Sequence, residues 1–129
     1  MKLYLTIPNT LYPYFKEELE KGNQLLKEGK LQQSWRHLER AHIIGQPYPF
    51  AHSFVHWKML LFGIKTKITK EIIGQIPRLL VGGVKSFVGN IPVGNTGGAN
   101  VSPLQPMEIP EELLTIIKKH SNHENTIQR

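Results

Sequence analysis

Cysteine is absent from the 129 residues, so disulfides, thiolate metal sites, iron–sulfur clusters and thiol catalysis are excluded. Any metal must be held by nitrogen and oxygen ligands. Long apolar runs are also missing. The longest, Met59–Ile64 and Leu79–Val84, fall far short of the ~20 residues that cross a bilayer. The start of the chain has one lysine and a short apolar stretch before Pro8, without the apolar core or small-residue cleavage site of a secretory signal. A soluble, cytoplasmic protein is therefore expected. The charge of +6 is modest, from 16 Lys+Arg against 10 Asp+Glu. Lys58, Lys65, Lys67, Lys70, Arg78 and Lys85 are spread out with no aromatic platform between them, so no specific nucleic-acid signal is present. Neither a Gly-Lys-[Ser/Thr] phosphate cradle nor a Gly-x-Gly-x-x-Gly turn occurs, and Ser53, Ser86 and Ser102 have no nucleophile motif around them.

Helical periodicity fills most of the chain. Asn9 or Thr10 is placed to cap a first helix whose opening turn accepts Pro13, and Gly29 ends it. A second helix carries Leu31, Trp35, Leu38 and His42 at helical spacing and ends at Gly45. The tight turn between them demands antiparallel packing. A third helix, from Pro49 or Phe50 to Phe62 with Gly63 as its stop, is apolar nearly all round and is expected to be the most buried. A fourth occupies Thr69 to Leu80 and is ended or kinked by Pro77, with a further helical turn over Val84–Val88. Residues 89–110 read as a long irregular Gly/Asn/Pro loop, and Pro110-Glu111-Glu112 opens a last helix. The fold expected is all-α, with four to five helices in consecutive antiparallel hairpins of tetratricopeptide-like spacing. Residues 1–120 form one domain, and 121–129 form a polar flexible tail.

Four of the six histidines lie between Trp35 and Met59. Glu39 and His42 are three apart on the second helix, and His52 and His56 are four apart on the third, so each pair shares a face. The connection from Gly45 to Pro49 is short, which brings His42 near His52. His42 lies on the Leu31–Trp35–Leu38 stripe and points inward, where a polar ring needs a partner. His37 sits roughly 140° away around the helix and is expected on the solvent side. Glu39, His42, His52 and His56 are thus the candidate metal ligands. The competing reading is that each buried ring simply bonds a carbonyl or carboxylate. A nitrogen–oxygen set favours Zn²⁺, with Fe²⁺, Mn²⁺ or Ni²⁺ less suited. A di-iron site would need several more inward carboxylates, with Glu17 or Glu18 as possible additions.

A second candidate site is the loop Gly94-Asn95-Thr96-Gly97-Gly98-Ala99-Asn100. Its glycines allow positive φ and expose backbone N–H groups that can form an anion-binding concavity. Asn95, Thr96 and Asn100 add side-chain donors, making Asn95, Thr96, Gly97, Gly98 and Asn100 the candidate contacts for a small anionic ligand.

His37-Leu38-Glu39-Arg40-Ala41-His42, His52-x-x-x-His56-Trp57 and Pro92-Val93-Gly94-Asn95-Thr96-Gly97-Gly98-Ala99-Asn100-Val101-Ser102 together resemble a family of small bacterial proteins of unknown function. The resemblance covers residues 14–115, and Gly-Asn-Thr-Gly-Gly-Ala-Asn is its most specific part. It implies a small, mostly helical cytoplasmic domain and brings no activity. A metal-binding protein, with handling or chemistry undecided, is the leading expectation. The alternatives are a helical-hairpin module for a protein partner, with structural histidines, and a binder or enzyme for a small anion.

Overall fold

The computed structural model describes residues 6–87, 96–99 and 107–120, and of residues 79–87 the backbone. These residues contain five helices and no strand: α1 (Tyr12–Lys27), α2 (Leu31–Gly45), α3 (Pro49–Thr66), α4 (Thr69–Phe87) and α5 (Glu111–His120). The short turns make α1 pack on α2, α2 on α3 and α3 on α4, while α5 returns to α2. Asn95, Asn100 and the tail 121–129 lie outside the described residues. None of the helices is long and apolar enough to cross a membrane.

The core follows from the apolar stripes. Phe15 of α1, Leu38, Ala41 and Ile44 of α2, Val55, Met59 and Phe62 of α3 and Leu113 of α5 are all buried in one cluster. Beneath it lies a buried carboxylate. Glu18 accepts from His37 Nδ1 at 2.6 Å and from Arg40 Nε at 3.0 Å, and Arg40 also bonds Glu112. One carboxylate therefore ties α1 to α2, and its guanidinium partner ties α2 to α5. A buried charge is tolerable only with such partners. Glu18 is thereby committed to Arg40 and His37, and is no addition to a metal site. His37, expected on the solvent side, faces α1, because the antiparallel hairpin covers that flank of α2.

Several helix ends differ from expectation. No side chain caps α1: its N-cap is Leu11, and Thr10 Oγ1 donates instead to the carbonyl of His120 at 3.0 Å. Helix α3 runs through Gly63 and ends one turn later, with Lys67 in the left-handed region at φ 62°. Gly63 serves packing rather than termination: a Cβ there would lie 3.2 Å from both the Ile72 amide nitrogen and the Glu71 Cβ. It lets α4 approach. Helix α4 likewise continues through Pro77. A proline removes one backbone hydrogen bond, but α4 as a whole is held against α3 by packing. Helix α3 is also less covered than its composition implies, since one of its faces is exposed to solvent.

Candidate metal centre

The corner between α2 and α3 is built by local backbone bonds. Tyr48 N donates to Gly45 O at 2.9 Å, and His52 N donates to Tyr48 O at 2.8 Å, so α3 starts immediately as α2 ends. This sets His42, in the last turn of α2, against His52 in the first turn of α3, and His56 follows one turn on. All three rings are buried, at 1%, 6% and 3% exposure. Their Nε2 atoms form an equilateral triangle: His42 to His56, His52 to His42 and His56 to His52 are each 3.1 Å. Among the described residues this is the one group of three or more His, Asp or Glu side chains able to converge on a metal ion.

A second layer holds His56. Its Nδ1 lies 2.6 Å from Gln75 Oε1 on α4. The Gln75 amide is oriented by its other end, where Nε2 donates to Glu71 Oε2 at 3.0 Å and to Gly97 O at 2.8 Å. Gln75 Oε1 must therefore accept, so His56 carries its proton on Nδ1 and presents a bare lone pair at Nε2. That tautomer is the one a metal requires. Burial pushes the His56 pKa down from 6.5 to about 4, with Arg78 lowering it further and the Gln75 bond opposing both.

The acid response follows from that depression. The unfolded ring protonates near 6.5 and the folded one near 4, so the unfolded chain binds more protons between these values. The contribution is present above pH 6.5 and is lost as the pH falls towards 4, amounting to about 3 kcal/mol. Urea unfolding of the metal-free protein at pH 7.5, 5.5 and 4 should show this decline, and His56→Phe should flatten it. An unchanged slope in that variant would refute the assignment.

The Gly/Asn loop belongs to the same place. Ala99 N donates to Glu71 Oε1 at 2.9 Å, and Gly97 O accepts from Gln75, so α4 clasps the loop from two sides. Gly97, with φ 85°, presses on the His42 ring. A Cβ on it would lie 2.5 Å from His42 Cδ2 and 2.7 Å from Nε2. Only glycine meets both demands. Of the loop residues proposed for an anion, Gly97 and Gly98 are buried here and Thr96 is half-buried, its hydroxyl 4.0 Å from Met107 Sδ.

Glu39 is placed elsewhere. Its carboxylate sits 3.7 Å from Arg36 Nη1, with Trp35 also bonding it, and burial raises its pKa. The converging set is the three histidines. Glu71 and Gln75 were not foreseen. The available signal was weak: two polar residues four apart within the apolar run Ile72, Ile73 and Ile76, with nothing to say which face of α4 meets α3.

A family model described as a protein of unknown function (DUF3703) matches residues 9–117. No curated protein and no solved structure matches the chain.

Proposed function

Because the chain belongs to the DUF3703 family, whose description assigns no activity, we propose from the site alone that it binds one divalent transition metal ion through Nε2 of His42, His52 and His56. The carrying observation is the 3.1 Å nitrogen triangle. Neutral imidazole nitrogens are each either a donor or a bare acceptor. Three of them, mutually in contact, cannot be labelled so that every edge joins a donor to an acceptor. At least one edge sets like against like. Structural histidines escape that conflict by turning their nitrogens towards separate partners, whereas a cation at the centre removes it.

The dimensions suit such an ion. The centre of the triangle lies about 1.8 Å from each nitrogen, within reach of Zn–N bonds of ~2.0–2.1 Å that the three Nε2 atoms would supply. Three nitrogens without sulfur favour zinc over Fe²⁺, Mn²⁺ or Ni²⁺. With the three histidines alone as protein ligands, at least one position on the ion would be open to another group. Burial of all three rings, with Gly97 packed against His42, supports holding an ion rather than turning over a substrate.

Elemental analysis of protein purified without an affinity tag is expected to give about one equivalent of metal. Competition with a chromogenic chelator then ranks Zn²⁺, Fe²⁺, Mn²⁺ and Ni²⁺. Metal-free protein whose melting is unmoved by any of the four would end the proposal. Gln75→Leu removes the acceptor that fixes the His56 tautomer, and outer partners of metal-bound histidines are worth about 10–100-fold in affinity. A loss of that size is expected in the same titration, and affinity unchanged within twofold would show that Gln75 does not position the ring.

A further inference from the structure

Helix α3 has two apolar faces, and only one is used by the described chain. Val55, Met59 and Phe62 enter the core and His52 and His56 the nitrogen triangle, while Phe54, Trp57, Leu61 and Ile64 stay 38% to 53% exposed. Their spacing alternates three and four residues. That is the 3.5-residue repeat with which one helix receives another. Stripes of this extent on a soluble chain mark interaction sites.

The ground beside the stripe is concave and basic. A half-open groove of about 350 Å³ lies between α1, α2 and α3, with Leu26, Leu38 and Phe62 among its apolar walls. Lys58 and Lys65 stand between the stripe and the groove, seven residues and so ~10 Å apart along α3. Neither forms an ion pair among the described residues. Lys58 lies over the Phe54 ring, 5.5 Å from its centroid.

From these observations we infer that the outer face of α3, with its adjoining groove, docks an amphipathic helix of a partner protein that carries acidic residues along one flank of its apolar seam. A second copy of the chain fits less well, because self-pairing would bring the same lysine row and a net charge of +6 to both sides. An anionic bilayer is flat, whereas this surface is grooved, with α1 as its far wall. The helix-in-groove mode suits all three features.

The probe is a synthetic 21-residue helix with leucines at heptad spacing and glutamates on one flank, beside a twin with lysines there. Trp57 fluorescence and anisotropy of a labelled peptide report binding to the full chain. The glutamate peptide is expected to bind at least about tenfold tighter than its twin, and more weakly at high salt. Lys58→Glu with Lys65→Glu should invert the preference, and Trp57→Glu should abolish binding of both. Since all three side chains are solvent-exposed or at the surface, circular dichroism should confirm that each variant folds. Indifference to flank charge, or no binding by a folded chain, overturns the inference. So does sedimentation showing a dimer that Trp57→Glu dissolves, or binding to phosphatidylglycerol vesicles with none to either peptide.

Discussion

Replacing His42 by alanine is expected to lower zinc affinity at least about a hundredfold. Three-coordinate protein sites lose a third of their ligand set with one imidazole. Binding of ~10–16 kcal/mol in four-ligand zinc sites assigns about 3 kcal/mol to each ligand. The same substitution acts differently on the metal-free protein. It deletes a buried ring, which leaves a void, but it also breaks the nitrogen triangle in which one 3.1 Å edge must oppose like groups. The metal-free variant should therefore melt close to the parent, while the zinc-dependent rise in melting temperature disappears. For the parent that rise corresponds to about 4 kcal/mol at a free metal concentration a thousand times Kd. Chelator competition and thermal melts with and without zinc separate the two effects. Retention of affinity within threefold would remove His42 from the ligand set. His52→Ala and His56→Ala should lower zinc affinity to a similar extent, since the three nitrogens are equivalent by distance, while His56→Ala should also destabilise the metal-free protein by leaving buried Gln75 Oε1 without its donor.

Gly97→Ala is the second large effect, and it acts from the loop rather than from the ligands. Two costs coincide there. At φ 85° an L side chain is strained by about 1 kcal/mol or more. The new methyl would also lie 2.5–2.7 Å from the Cδ2, Cγ and Nε2 atoms of His42. Neither the ring nor the loop yields freely, since Gly97 O is bonded to Gln75 and Ala99 N to Glu71. Overpacking of this kind costs about 1–3 kcal/mol, so the total expected is about 2–4 kcal/mol, read by urea unfolding. Because His42 must shift, zinc affinity should fall as well. Gly29→Ala is the control: its φ is 77°, but a Cβ there meets nothing within 4 Å. It should show the backbone strain alone and leave metal binding intact. Equal losses in the two variants would mean that contact with His42 is not the cause.

Much of the architecture was legible from periodicity. The apolar stripes of α1 and α2, the short Gly29-Lys30 turn and the break at Gly45 are local signals, and local signals set helix existence and hairpin packing. The spacing of His52 and His56 and the short corner before Pro49 predict that three imidazoles meet, and the fold brings the same three together. Helix ends were less legible. Gly63 and Pro77 look like stops because their backbone properties are intrinsic, yet α3 and α4 continue through them, since the contact between those two helices is a tertiary matter.

Partnership across the fold was the part that sequence alone did not carry. Glu39, one turn from His42, lies outside the converging group of three histidines, with its carboxylate 3.7 Å from Arg36 Nη1. The real companions of His56 are Gln75 and, through it, Glu71 and Gly97, which lie 19, 15 and 41 positions away in sequence. No periodicity reports such distances. Likewise the histidine corner and the glycine loop looked like two separate sites, one for a cation and one for an anion. What the sequence determined by itself is an all-helical chain with three imidazoles at one helix corner, because helical phase and short turns are local properties. What only the tertiary structure decided is that α4 orients one imidazole and fastens Gly97 over another, because hydrogen bonds and steric contact between remote segments exist only once the helices are packed.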